Sequence, residues 1–308
     1  DLLAGGPRTA EDIAADAHLH APSLRRLLRA LCTFEIFAEL PDGRFALTPL
    51  SQALRSDVPG SMRWLLALVG GGMHKRAWAE LVHAIRTGET AVQHLYGMPA
   101  FEVLADDPEE AEIFNRAMTE NTAHTAAGLV EAYDVSRFRT IVDVGGGHGL
   151  LLSEVLRAHP SAHGVLFDLP AVVAGAAPVL EAAGVADRCE VVGGSFFEDV
   201  PPGGDLYLLK SVIHDWDDEH AERILRTCCR RMAASSRVAV LDWVMPERVG
   251  TDETSRQVTL TDLTMLVVAG GRERTRAEFD NLFAAAGLAP TSVTPLPGGG
   301  SVIEAAPA

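Results

Sequence analysis

The sequence predicts an α/β fold, with a doubly wound and mostly parallel sheet in its later part and a smaller helical module in front. From Thr140 onward, short apolar strands alternate with amphipathic helices, the pattern of a parallel sheet covered by helices on both faces. Two β-prone runs flank Pro297-Gly298-Gly299-Gly300 and predict a C-terminal antiparallel hairpin. The first fifty residues read as helix, helix, then a short hairpin, a winged-helix pattern. Two domains are expected, residues 1–135 and 136–308.

The front module begins with Thr9 and Asp12 spaced as a capping pair ahead of Ile13 and Ala14, which starts a short amphipathic helix. A second helix follows Pro22-Ser23. There Leu24, Leu27, Leu28 and Leu31 recur at i, i+3, i+4 and i+7, turning one face inward and leaving Arg25, Arg26 and Arg29 outward. Residues 37–40 and 44–47 flank Pro41-Asp42-Gly43, a turn between two short strands. Residues 60–135 read as further helices, with Trp64, Trp78, Phe101, Phe114 and Met118 among their apolar markers.

In the later part, strands are expected at 141–144, 164–169, 189–192, 206–213 and 238–241. Helices are expected at 150–158, 171–183, 218–232 and 275–286. Gly145-Gly146-Gly147-His148-Gly149 interrupts the first strand and its helix. Glycine there admits φ > 0 and lets a ligand approach the backbone. The spacing is G-x-G-x-G; position 150, where a dinucleotide fingerprint needs a third small residue, is Leu150.

Lys and Arg total 26 against 42 Asp and Glu in 308 residues, a formal charge of −16. The mean field therefore repels nucleic-acid phosphates and anionic membranes, although the three arginines of the second helix leave a DNA-binding winged-helix regulator as a reading of another class. Hydrophobic residues make up 47% of the chain, enough for sizeable cores, and no run reaches the roughly 20 apolar residues of a membrane span. The cysteines, Cys32, Cys189, Cys228 and Cys229, contain no C-x-x-C pair, so a reduced, cytoplasmic setting and no metal centre are expected. A start at Asp1 without Met suggests a missing N-terminal piece.

Ligands of open α/β sheets bind outside the carboxyl ends of the strands. Those ends carry Asp143, Asp168, Ser195, His214 and Asp242. Asp168, about 20 residues beyond the glycine turn, is placed to accept both ribose hydroxyls. Phe196, next to Phe197, offers a wall for an adenine ring. His214, in Lys210-Ser211-Val212-Ile213-His214-Asp215-Trp216-Asp217, is placed to take a proton near neutral pH. The His-Asp-x-Asp cluster also suggests a metal, but Asp217 and Asp218 stand at a helix start, where the helix dipole favours acids.

Together with Phe167-Asp168-Leu169-Pro170, Gly194-Ser195-Phe196-Phe197 and Gly270-Gly271-Arg272-Glu273-Arg274-Thr275, these segments resemble, in order and over essentially the whole chain, the small-molecule O-methyltransferase family. That family includes plant phenylpropanoid, hydroxyindole and bacterial antibiotic-tailoring enzymes. The resemblance implies a Rossmann-like domain that binds S-adenosyl-L-methionine, a helical winged-helix front domain that forms a homodimer, and a small aromatic acceptor. It implies His214 as catalytic base with Asp242 and Glu273 flanking it. For the cofactor it implies the turn of Asp143, Gly145 and Gly147, the ribose carboxylate Asp168, Ser195 and Phe196 near adenine, Lys210 near the methionine end, and Trp216 beside the adenine. Asn115, Met118 and Asn121 match the acceptor-pocket segment. Ser195 stands where many members have Asp, and Asp242 where plant members usually have the longer Glu. Some relatives keep fold and cofactor yet hydroxylate or decarboxylate, and N-methylation stays open as well.

Overall fold

The computed structural model describes residues 1–58 and 60–308. They form two compact units, residues 1–67 and 68–308.

In the first unit, helices Ala10–Ala17 and Ala21–Cys32 precede strands β1 (Phe37–Glu39) and β2 (Phe45–Leu47), paired antiparallel with Phe37 opposite Leu47. Thr9 caps the first helix by accepting from the Asp12 amide at 3.1 Å. Leu3, Ala10, Ile13, Leu28 and Phe45 form its small core, with Leu24 partly buried against it. One expectation fails. Leu27, read as part of the buried stripe, stands 56% exposed, because only the Leu24–Leu28 side of the helix meets this core.

Helix Arg63–Gly70 spans the boundary at residues 67 and 68, and the second unit continues with helices from Gly72–Ala79 to Pro108–Ala132. These helices, grouped with the front domain by the sequence, cluster with the sheet-bearing unit. Their core (Met73, Ala77, Val92, Leu104) includes Val267 and Val268 from much later in the chain. The sheet contains β3 (Thr140–Val144), β4 (His163–Asp168), β5 (Cys189–Gly193), β6 (Leu206–Lys210) and β7 (Arg237–Asp242). A short parallel pair, β8 (Val244–Met245) and β9 (Arg274–Thr275), stands apart. The hairpin β10 (Leu288–Pro295) and β11 (Ser301–Pro307) completes the sheet in the order β10-β11-β7-β6-β3-β4-β5. Pairs among β3 to β7 are parallel, and β11 runs antiparallel to both β10 and β7. The chain moves outward from β3 through β4 to β5, then resumes at β6 on the other side of β3. This is the topological switch point, where open sheets leave a crevice. One face is covered by helices Pro108–Ala132, Leu150–Ala158 and Ala177–Ala182, the other by Asp218–Arg231 and Arg276–Ala285.

Three local differences from expectation have physical causes. The apolar run 206–213 is not one strand: β6 ends at Lys210, Ser211 turns left-handed at φ 53°, and residues 213–215 form a 3-10 turn. The expected helix 171–183 breaks into Pro170–Val173 and Ala177–Ala182, around Gly175, where a Cβ would strike the His148 ring at 2.7 Å. Helix Glu253–Val267 was not expected at all.

Candidate active site

At the switch point the glycine turn leaves β3 with Gly145 at φ 72° and Gly147 at φ 60°. A side chain at Gly145 would meet Val212 at 2.8 Å, while nothing lies within 4 Å of a Cβ on Gly147. The second glycine thus keeps backbone open to a ligand. Asp168, at the end of β4, accepts from the Gly147 amide at 2.8 Å and from the Leu169 amide at 2.7 Å, so the turn and the carboxylate fix each other. Burial raises its pKa, and the two amides pull it back.

Asp143 does not reach the rim as expected. It is 1% exposed beneath the turn, at the place where a Cβ on Gly146 would stand, and its Oδ2 has no partner. Burial, and then the charge of Asp168, push its pKa to about 7 against the pull of Lys210. Lys210 is half-buried at the end of β6. Burial lowers its pKa to about 8, opposed by the carboxylates of Asp242, Asp143 and Asp215.

Aromatic rings form one wall. Phe196 lies edge-on to Phe197 and to Trp216, at 4.9 and 6.1 Å between centroids. The opposite relation holds for Phe101, which stacks on Trp216 at 5.6 Å and touches Phe114 of helix Pro108–Ala132 edge-on. Ser195 lies half-exposed before this wall, its hydroxyl accepting from the Phe197 amide at 3.3 Å.

His214 does not end a strand; it occupies the 3-10 turn beyond the left-handed Ser211. Its Nδ1 lies 2.8 Å from Glu273 Oε1, a hydrogen bond, and 3.9 Å from Asp242 Oδ1, which is not one. Asp215 Oδ1 is 3.7 Å from Nε2. Burial alone depresses the basicity of His214, but the charges of Asp242, Glu273 and Asp215 outweigh it and raise the pKa to about 10. The same crowding holds Asp242 up at about 7 and Asp215 at about 6, burial being the larger cause in each. Both Asp242 oxygens and Glu273 Oε2 lack hydrogen bonds. Unpaired, buried carboxylate oxygens are costly, and they cluster at functional sites.

The parallel pairing of Val244 with Arg274 brings the chain just beyond Asp242, the last residue of β7, alongside Glu273, the residue before β9. Residues without a predicted role hold the turn. Arg274 is 1% exposed, donating to the carbonyls of Ile213 at 3.0 Å and Trp216 at 2.8 Å and to the Asp218 carboxylate. Asp262 accepts from the Glu273 amide at 2.8 Å. Gly271 runs so close that a Cβ would stand 2.0 Å from the His214 carbonyl oxygen. Asp217 caps helix Asp218–Arg231 through the His220 amide, the structural role its position suggested.

Asn115, Met118 and Asn121 lie half-buried on helix Pro108–Ala132. Their carbonyls accept from the hydroxyls of Thr119, Thr122 and Thr125. The aromatic chain from Phe114 through Phe101 to Trp216 links their helix to the site.

This arrangement sets a glycine turn, a carboxylate at the end of β4, an aromatic wall and a carboxylate-flanked imidazole at the carboxyl ends of the strands, which suits a nucleoside cofactor beside a proton acceptor. Comparison with known proteins agrees. A family model described as O-methyltransferase domain matches residues 78–289, and one described as O-methyltransferase dimerisation domain matches residues 1–57. Phenazine O-methyltransferase PhzM of Lysobacter antibioticus is 43% identical over 307 residues, covering 100% of this chain and 89% of that protein. The 8-amino-8-demethylriboflavin N,N-dimethyltransferase of Streptomyces davaonensis is 38% identical, covering 99% and 87%. An O-methyltransferase of neocarzinostatin biosynthesis, crystallised with S-adenosylmethionine and 2-hydroxy-5-methyl naphthoic acid, superposes with a TM-score of 0.84 at 35% identity, covering 99% and 91%. The chain belongs to the S-adenosylmethionine-dependent O-methyltransferase family.

Proposed function

We propose that the protein methylates a hydroxyl group of a small aromatic acceptor, with His214 as general base. The observation that carries this reading is the His214–Glu273 hydrogen bond at 2.8 Å inside a buried site, which fixes the ring through Nδ1 and leaves Nε2 to face the acceptor. S-adenosylmethionine, when bound, supplies a methyl carbon activated by a sulfonium. Asp168 would hold its ribose, the Gly145 to Gly147 backbone would lie along it, Phe196, Trp216 and Ser195 would bound the adenine, and Lys210 would neighbour the methionine end. Asp143 supports the turn from beneath. Asn115, Met118 and Asn121 are the proposed acceptor wall.

A phenol ionises near pH 10 and an ordinary imidazole near 6.5, a mismatch of about 5 kcal/mol for proton transfer. The carboxylates around His214 remove that mismatch by raising its basicity. In exchange, the unprotonated ring is scarce at neutral pH, so turnover should climb with pH beyond the usual imidazole range. Alignment of acceptor oxygen, methyl carbon and sulfur supplies the remaining catalysis.

Replacing His214 with Gln should cut turnover by roughly 10²–10⁴ while calorimetry finds cofactor affinity nearly unchanged. Mass spectrometry should find one added CH₂ in the wild-type product; a product gaining oxygen or losing carbon dioxide would overturn the reading. An amine acceptor is the second reading, favoured by the N,N-dimethyltransferase among the relatives. An aromatic amine attacks without prior deprotonation, so there the His214→Gln loss would be small.

We further propose a homodimer built through residues 1–67 and a cytoplasmic location. Phe34, Leu27, Leu19 and Leu50 stand more than half exposed, a surface expected to be covered, and the matching front model is a dimerisation domain. Two of the three helix arginines are engaged, Arg25 with Glu11 and Arg29 with Glu39, which disfavours the DNA-binding reading. The four cysteines are free, and among the described residues no helix is long and apolar enough to cross a membrane.

A further inference from the structure

Helices Leu81–Thr87 and Ala91–Tyr96 are joined by Gly88, Glu89 and Thr90. Gly88 turns left-handed at φ 75° with its amide on the Ala84 carbonyl. The Glu89 amide donates to the Thr87 hydroxyl at 3.1 Å, and Thr90 caps the second helix through the Gln93 amide at 3.0 Å. This tightly fixed turn folds His94 back onto His83, the two rings stacking at 3.7 Å and 17°. Glu89 closes the cluster, its Oε2 2.9 Å from His83 Nε2.

One ligand atom from each of His83, Glu89 and His94 lies within 4.8 Å of the other two. All three side chains reach solvent. Two imidazoles and a carboxylate are the donor set of Zn²⁺ and its neighbours, whereas Mg²⁺ and Ca²⁺ need mostly oxygen. Around a tetrahedral ion at 2.0–2.1 Å, donor atoms stand about 3.3 Å apart. Surface rotamers would close the remaining gap, exchanging the His83–Glu89 hydrogen bond for two bonds to the metal.

We propose that His83, Glu89 and His94 form a binding site for one divalent transition-metal ion of the Zn²⁺ type, separate from the methyl-transfer site. Bound there, the ion would cross-link the two helices. It would also brace the turn against the segment behind it: the Thr90 methyl lies 3.2 Å from where a Cβ on Gly270 would stand, and the next residue, Gly271, packs on the His214 turn. The expected role is stabilisation of this helical region rather than chemistry.

Chelator-stripped protein, titrated with Zn²⁺ in a calorimeter, should bind one equivalent at neutral pH, with binding fading as acid protonates imidazole. Saturating Zn²⁺ should raise the melting temperature, as any ligand of the native state does, and millimolar Mg²⁺ should not. Co²⁺ should give visible absorption of a low-coordinate nitrogen and oxygen site without the thiolate charge-transfer band that Cys228 or Cys229 would produce. His83→Gln, Glu89→Gln and His94→Gln should each weaken binding at least tenfold, with circular dichroism reporting an unchanged fold. Absence of Zn²⁺ binding in the wild type, or full binding in the His83→Gln, His94→Gln double variant, would overturn the assignment.

Discussion

In residues 1–67, large apolar side chains stand in solvent, with Phe34 71% and Leu27 56% exposed, whereas residues 68–308 withdraw charge from solvent, leaving His214, Asp242, Glu273 and Arg274 each at 9% exposure or less. Both depart from the rule that apolar groups go in and charges stay out. The front unit has more apolar surface than its small core can cover, which asks for a partner. In the sheet-bearing unit the buried charges hold the geometry of the site: Arg274 clamps the turn that carries His214, and Glu273 orients the ring.

If buried charge works by geometry, a small steric push should damage it most. Gly271→Ala places a methyl 2.0 Å from the His214 carbonyl oxygen, and displacing the turn by about 1 Å should cost about a hundredfold in kcat. Steady-state kinetics beside circular dichroism would test this; normal turnover would mean that the turn tolerates displacement. On the other side of the comparison, the double substitution Leu27→Asp, Phe34→Asp should dissociate the proposed dimer. Each lost anchor is worth 2 kcal/mol or more, about thirtyfold in the dissociation constant. Light scattering at micromolar concentration should show a monomer with a lowered melting temperature, and an unchanged dimer would place the interface elsewhere. The smallest effect is electrostatic. Asp242→Asn removes a charge that raises the basicity of His214, so the pH at which turnover rises should fall by about one unit. A profile left in place would show that Asp242 does not set the basicity.

What was legible in the sequence divides along the same line. The alternation after Thr140, the glycine turn and the terminal hairpin are local patterns, and they appear as β3 to β7, the open backbone at Gly147 and the pair β10–β11. Helix Glu253–Val267 was hidden because its buried Ser255, Val258, Met265 and Val267 form no regular stripe, and Thr254, Thr259, Thr261 and Thr264 weaken its helical propensity. The left-handed Ser211 that ends β6 was hidden inside an apolar run. Among site residues, Asp168 could be placed by spacing from the glycines. The clamp of Arg274 on Ile213 spans 61 positions and left no local signal. The His83, Glu89 and His94 cluster likewise leaves no motif in the sequence, since the turn at Gly88 brings its members together.

The reach of the His214–Glu273 contact across 59 positions also has a meaning in time. On the ribosome, His214 and the sheet strands β3 to β7 are made before Arg272, Glu273 and Arg274 exist. A nascent chain therefore carries an ordinary, unanchored imidazole until the β8–β9 pair can close. Long-range contacts of this kind form late, after the entropy of the intervening loop has been lost. The anchored form of the proposed base is thus a product of the final stage of folding, and a chain truncated after β7 can possess most of the sheet while its His214 lacks Glu273.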